Sequence, residues 1–438
     1  MSEKASRRDF LRKATAAAAA AAAFSADGTV HGEEGDAEPI PQAKARAPIG
    51  ADGIVNVAVI GTGGMGTGHA DALARFAAES KAIRVAALCD LCDPRVKNAK
   101  ARVDKAQGGD VPTYRHYEEV LARPDVHGVL IASPEHWHAR LAEDAIKAGK
   151  DVYVEKPMTI NLKDALRLRK VTRANPDAIV VVGTQFVMTP SYMAAEQLIK
   201  EGAIGKPVWS QTSYCRNSKT GEWNYYAIDP QWKPGVNLDW EKWCKPLGKA
   251  RWDPEVYARW RRHKKYSSGI IGDLLVHHIT PTVKALNVGW PVKVVATGGH
   301  YIDKAMENPD QININVEFEN DHTMAIAGST CNELGVERVI RGHKANLFVG
   351  GRNAVIRPEA IWASEVEERE IPPPPGPLLD PQEVLRRHWI DCIRTRQKPR
   401  SDVELGTMVM VIVDLAQRSF WEGGAFGFNP RTGKVSRL

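Results

Sequence analysis

Three stretches of the chain hold side chains whose types and spacing suit chemistry. At 153–158 it reads Y-V-E-K-P-M, which sets Lys156 between a glutamate and a proline at the end of a β-like run. That is an unusual setting for a solvated lysine. Upstream, Gly61–Gly66 reads G-T-G-G-M-G, directly after the apolar run I-V-N-V-A-V-I and at the start of a helical stretch. Gly61 permits the tight turn, Gly63 lets backbone approach a pyrophosphate, and Gly66 lets helix pack on strand. Thr62, Gly64 and Met65 complete this turn, and the helix start offers free N–H groups and partial positive charge to phosphates. The next apolar run, R-V-A-A-L-C, ends in Asp90. A carboxylate there accepts hydrogen bonds from ribose hydroxyls and repels a 2′-phosphate, so NAD is expected before NADP, with Arg95 the opposing charge nearby. The third stretch is G-D-L-L-V-H-H at 272–278. Its Asp273 and His277, four residues apart, fall on one face of a helix. On a solvated helix such a pair is commonplace; the lysine and the glycine turn give it significance.

Positioning these groups takes two kinds of scaffold. Short apolar runs at 54–60, 84–89, 128–132, 151–155 and 179–183 alternate with helical stretches such as Met65–Glu79 and Glu135–Ala148. This is the texture of a parallel sheet covered on both faces. Beyond about residue 207 the runs at 207–214, 292–302, 311–319 and 323–330 alternate apolar and polar residues, as in an antiparallel sheet with one buried face. Helical stretches His388–Thr395 and Val403–Glu422 follow. The expected fold class is α/β: a Rossmann dinucleotide-binding domain at 54–183, then an α/β domain with an open antiparallel sheet at 184–438.

Composition narrows the function. A chain of 438 residues, 43% hydrophobic and 26% charged, has enough apolar material for two cores. Half of the net charge of +6 sits in residues 1–26, where Lys4, Arg7, Arg8, Arg12 and Lys13 face only Glu3 and Asp9. The remainder has no basic stripe, so nucleic acid is not expected as a partner. Of six cysteines only Cys89 and Cys92 have metal-binding spacing, and no second pair accompanies them. They read as core residues. Glu135, His136 and His138 lie close together in sequence, but no metal is expected there.

These pieces, with S-P-E-H-W-H-A at 133–139 and A-G-K-D-V-Y-V-E-K-P at 148–157, carry a family resemblance. From about Asn56 to its end the chain resembles the Gfo/Idh/MocA oxidoreductases. The resemblance implies that Lys156 faces the substrate beside the nicotinamide, that His277 accepts a proton and that Asp273 orients the sugar or the imidazole. It implies that Ser133, Pro134, His138, Glu155 and Lys156 border the nicotinamide end of NAD. Gln185, Arg216, Arg261 and His278 are candidates for contacts to a small carbohydrate substrate. A homo-oligomer built through the C-terminal sheet is expected as well. The implied activity is NAD-dependent oxidation of a secondary hydroxyl in a sugar, polyol or glycoside. Redox-neutral glycoside cleavage with recycled NAD, and a non-catalytic sugar or nucleotide sensor, remain open alternatives. The chain departs from the family where T-Q-F-V-M-T-P follows Gly183: Phe186 and Val187 disfavour a strongly anionic ligand. A Trp- and Pro-rich insertion at 218–265 has no evident counterpart. Most of its aromatics are expected in core or interface, with two or three lining a cleft.

The first 26 residues read as an address. S-R-R-D-F-L-R-K, then an alanine run too short and weakly apolar to span a bilayer, resembles a twin-arginine export signal. It implies the twin-arginine machinery as a partner and a periplasmic or other extracytoplasmic destination. That route carries folded proteins, which suits a chain that must collect NAD first. Residues 27–53, rich in Gly, Ala, Pro and acids, are expected to be a disordered linker.

Overall fold

The computed structural model describes Arg46, Ile49, Gly50 and residues 53–438. The expected export signal and most of the expected linker lie outside the described residues. Arg46 departs from the linker expectation. Its Nε lies 3.3 Å from Asp151 Oδ1, and its Nη2 donates to the carbonyls of Ile146 and Lys150. A buried carboxylate at the start of a strand secures this arginine, so the first domain recruits residues ahead of position 54.

That domain runs β1 (Val55–Ile60), α1 (Gly64–Ser80), β2 (Ile83–Cys89), α2 (Asp93–Gln107), β3 (Thr113–Tyr114), α3 (Tyr117–Leu121), β4 (Gly128–Ile131), α4 (Glu135–Lys147), β5 (Asp151–Val154), α5 (Leu162–Ala174) and β6 (Val180–Val182). The strands form one parallel sheet in the order β3-β2-β1-β4-β5-β6. Strands β4, β5 and β6 are buried at every position, as the unbroken apolar runs require of a sheet covered on both faces. The order reverses between β1 and β4, and the crevice beyond their carboxyl ends is where such sheets bind ligands.

The chain continues through a 3-10 turn (Gln185–Met188), α6 (Pro190–Lys200), β7 (Pro207–Cys215), the short helices α7 (Trp240–Cys244) and α8 (Pro254–Arg259), and a π-helical turn (Ile271–Leu275) that runs into α9 (Val276–Leu286). Strands β8 (Pro291–Gly299), β9 (Gln311–Phe318), β10 (His322–Ser329), β11 (Val339–Gly342), β12 (Ala345–Phe348), β13 (Ala354–Pro358) and β14 (Arg369–Ile371) follow. Helices α10 (Pro381–Thr395) and α11 (Val403–Glu422) and the hairpin β15 (Phe426–Asn429) and β16 (Lys434–Arg437) close the chain.

The second sheet has ten strands in the order β14-β13-β12-β11-β7-β10-β9-β8-β15-β16. It is mostly antiparallel, as expected, with one parallel pair: β7 and β10 run parallel, while the other neighbours are antiparallel. No hairpin joins β7 to β10, and the long crossover between them leaves their relative direction free. Along β9 buried and exposed residues alternate, so one face packs inward and the other is open.

The end of the chain packs back on the parallel sheet. Helix α10 begins at Pro381, ahead of the expected His388, because Asp380 caps it by accepting from the N–H groups of Gln382 and Glu383. It then returns to the first domain. Trp389 is fully buried, its ring edge-on to Tyr153 of β5 at 5.8 Å, and a Cβ at Gly128 of β4 would meet it at 2.9 Å.

Candidate active site

The glycine turn joins β1 to α1. Gly61 has φ +87°, and a side chain there would strike the Ser133 backbone nitrogen at 2.6 Å. A Cβ at Gly66 would sit 1.7 Å from the Gly61 carbonyl oxygen, so only glycine lets the helix start this close to the strand. Asp90, just past β2, locks the turn from the side. Its Oδ2 accepts from the Thr62 N–H at 2.6 Å and the Thr62 hydroxyl at 3.2 Å, and its Oδ1 from the Cys92 N–H at 2.9 Å. A carboxylate offers about four lone-pair positions, so with three donors in place Asp90 Oδ1 retains capacity for one more hydroxyl. Burial raises its pKa, opposed by Arg95 and by these donors.

A cavity of about 710 Å³ opens against Gly61–Met65, Asp90, Ser133 and Pro134, within the usual range of ligand pockets. Bare glycine backbone, a helix N-terminus and a carboxylate at the next strand end thus meet at one cavity, which fits a dinucleotide. The side chains of His138 and Glu155 do not line it and are engaged elsewhere. The His138 ring lies between the carbonyls of Pro157 and Ser133, at 2.7 and 2.8 Å. Glu155 Oε1 pairs with His69 Nε2 of α1 at 2.8 Å, while Oε2 accepts from the Lys156 N–H. Both are tie points beneath the cleft. No local pattern points to His69 or to Arg386, whose Nη1 lies 3.3 Å from His69 Nδ1, because they converge from α1 and α10.

Lys156 is buried just beyond β5. Its Nζ donates to the Asp273 carbonyl at 2.9 Å and to Asp273 Oδ1 at 3.1 Å. Arg261 Nε donates to the same Oδ1 at 2.9 Å, and its guanidinium packs on Trp260 at 4.2 Å. Burial alone would raise the Asp273 carboxyl, but the Lys156 and Arg261 charges outweigh it and hold it well below the ordinary range. Asp273 lies in the π-helical turn and His277 at the start of α9. The one-turn spacing is therefore kept with a local widening of the helix, a feature that recurs at functional sites.

Burial, then the Lys156 charge, pushes His277 far down, so its imidazole is neutral at pH 7. Its Nδ1 is buried with no hydrogen-bond partner, as is Gln185 Oε1. The rings of Phe186 and Tyr214 each lie 5.6 Å from His277. Against His278, Phe186 is stacked at 4.8 Å, and burial, then Arg338, pushes that imidazole down to about 3. Arg216 is spoken for: it donates to the Tyr214 hydroxyl and to Glu222 Oε1 at 2.8 and 2.9 Å. Of the expected catalytic and substrate groups, Arg261 alone borders the large cavity. Lys156 is paired with Asp273, which Arg261 links to the cavity wall, and both charges act on His277 one turn further along.

Glu135 is a component that sequence reasoning passed over except as a metal candidate. From the first turn of α4 it accepts from the Ser267 hydroxyl at 2.6 Å and from the N–H and hydroxyl of Ser268 at 2.8 and 2.7 Å. These serines lead into the turn that bears Asp273, so Glu135 fastens that turn to the nucleotide domain. Burial, then repulsion from Asp273, raises its pKa to about 7 against the serine hydrogen bonds. Among the described residues no group of His, Cys, Asp and Glu side chains has the arrangement of a metal site.

The sequence matches the two Gfo/Idh/MocA family models, the oxidoreductase family's NAD-binding Rossmann fold at residues 55–184 and its C-terminal alpha/beta domain at 248–426. Together they span more than half of the chain, which belongs to the Gfo/Idh/MocA oxidoreductase family. An uncharacterized oxidoreductase of Synechocystis is 32% identical over 177 residues, which is 40% of this chain and 45% of that protein. Inositol 2-dehydrogenase 1 of Saccharopolyspora erythraea is 32% identical over 155 residues, 35% of this chain and 44% of its own length. The match thus spans a little under half of these curated relatives. A levoglucosan dehydrogenase solved with NADH and levoglucosan superposes with a TM-score of 0.66 at 19% identity, covering 85% of this chain and 98% of that one. An oxidoreductase domain protein from Kribbella flavida gives the same score, identity and coverage. The first domain is the family's NAD-binding unit.

Proposed function

We propose that the chain is an exported NAD-dependent oxidoreductase acting on a secondary hydroxyl of a sugar, polyol or glycoside. The observation that carries this reading is the buried Lys156–Asp273–Arg261 cluster beside a neutral His277 with an unpartnered ring nitrogen. NAD would be held by the Gly61–Gly66 turn, Asp90 and the Ser133–Pro134 corner. When bound, it takes up the hydride that leaves the carbinol carbon.

The chain's own groups handle the proton and the charge. His277 accepts the hydroxyl proton, for which its neutral form is required. Lys156 uses two of its three N–H donors on Asp273, which leaves one to meet the developing alkoxide. Asp273 fixes the ammonium in place, and Arg261 keeps the cluster net positive. Phe186, Tyr214 and His278 wall the site with rings suited to the apolar faces of a sugar. Asp90 supports NAD over NADP. The dehydrogenases of inositol and levoglucosan among the similar proteins support a polyhydroxylated substrate. Arg7 and Arg8 support the twin-arginine route to an extracytoplasmic location, and the open face of the second sheet supports a homo-oligomer.

Incubating purified protein with a panel of cyclic polyols, sugars and aryl glycosides, while following NADH absorbance and free aglycone, tests the reading. NADH formation without aglycone is expected. Aglycone release without net NADH would replace it with redox-neutral glycoside cleavage.

A further inference from the structure

The insertion is not a loose loop. Trp240 and Trp243 stack at 4.7 Å, and with Leu238, Cys244, Tyr257, Trp260 and Tyr266 they make a small apolar core that also takes in Cys92 of the nucleotide domain. This body is fastened at two places. On one bank of the crevice it joins the corner after β2, two residues past Asp90. There Leu238 forms a β-bridge with Cys92, the Asp93 N–H donates to the Asn237 carbonyl, and the Asp239 N–H donates to the Leu91 carbonyl, each at 2.9 Å. On the other bank it joins the first turn of α4, just past Pro134. The Trp243 carbonyl there lies 2.9 Å from His136 Nε2 and accepts from Trp137 Nε1 at 2.8 Å.

Between the two fastenings lies the large cavity, walled on one side by the glycine turn and on the other by Tyr226, Trp243, Tyr257 and Trp260 of the insertion. Arg95 stands where the two sides meet. Its guanidinium is 4.4 Å from the ring centre of Tyr257 and 4.9 Å from that of Trp232, and its Nη1 is 3.7 Å from the position a Cβ on Gly63 would take. The insertion therefore holds a cation against the phosphate-binding turn.

We propose that the insertion is the outer half of the dinucleotide site, a bar across the crevice from the Asp90 corner to the Pro134 corner that keeps the bound dinucleotide from leaving. A ligand lying from the ribose-binding carboxylate to the nicotinamide corner passes beneath it. Dissociation requires at least one fastening to open, whereas the glycine turn and Asp90 alone form an open groove. The insertion thus sets how long the dinucleotide stays, and Trp232 and Tyr257 act on it through Arg95. This rests on the nucleotide-binding part of the reading above and is independent of which sugar is oxidised.

The test uses the full chain loaded with NADH, chased with excess NAD and followed by stopped-flow fluorescence, so no substrate is needed. Leu238→Ala loosens the fastening at Cys92, and Trp232→Ala removes, from a half-buried position at the edge of the small core, one of the two rings that meet Arg95. Release at least tenfold faster in both variants is expected. Hydrogen exchange over residues 91–95 checks that the bar has loosened, and Trp232→Ala decides the matter if Leu238→Ala does not fold. Unchanged release with increased exchange overturns the bar and leaves the oxidoreductase reading standing. Failure of the native chain to bind NADH overturns both.

Discussion

Replacing Lys156 with alanine removes one of the two cations on a buried carboxylate, and the geometry sets separate sizes for the effects on fold and on turnover. Cutting one partner from an isolated buried ion pair costs about 3–5 kcal/mol, because the remaining charge is stranded. Asp273 is not stranded here, since Arg261 Nε still donates to its Oδ1 at 2.9 Å. The loss should be nearer that of a charged hydrogen bond, about 1.5–3 kcal/mol. Cofactor affinity should hardly move, since the glycine turn and Asp90 lie on other loops. Turnover should fall by roughly 10²–10³, the usual effect of deleting one stabiliser of a developing oxyanion. His277→Ala should lose about 10²–10⁴. Because both residues serve one proton transfer, the double variant should lose less than the product of the two. Lys156→Arg should not rescue, since a planar guanidinium cannot replace a compact ammonium held by two oxygens of one residue. The assay is initial-rate NADH formation with the substrate found in the panel, beside NADH titration by fluorescence and a thermal melt. Lys156→Ala retaining most of its turnover with NADH bound would refute the role given to this lysine.

Three further expectations rest on single features. Asp90→Ala should weaken NADH binding and narrow its preference over NADPH, read by fluorescence titration; a native preference for NADPH would remove Asp90 from this role. Glu135, raised to about 7 by burial and then by Asp273, binds a proton when folded that it has lost when unfolded, so its contribution to stability falls as pH rises from the ordinary carboxylate range to about 7. Glu135→Gln lacks that slope, so its melting temperature relative to the native chain should rise between pH 5 and pH 8; parallel curves would contradict the assignment. Replacing Arg7 and Arg8 with lysines should leave active protein in the cytoplasm, detected by cell fractionation, and continued export would remove the twin-arginine reading.

The parts of the molecule that local pattern determines were readable in advance. The expected runs of the parallel sheet match β1, β2, β4, β5 and β6 to within a residue or two at either end, because a strand buried on both faces must be apolar throughout. The glycine turn was equally plain, since its geometry excludes side chains. The serine clasp on Glu135 was not, because its partners stand more than 130 residues apart and serine is equally at home in a loop. The partners of His138 and Glu155, the carbonyls of Ser133 and Pro157 for the one and His69 for the other, were equally hidden, since rotamer and packing settle where a side chain turns. The parallel pairing of β7 with β10 escaped for a related reason: alternation reports a half-buried strand but not the direction of its neighbour.

Helix α10 has a bearing on how the chain comes to be made. The nucleotide domain carries its phosphate turn, its carboxylate and its lysine in the first half of the sequence, yet the face formed by Gly128 and Tyr153 is closed by Trp389. During synthesis that face stays bare until residues 381–395 have left the ribosome. The apolar cover of the first domain's sheet is therefore supplied only when the chain is all but finished.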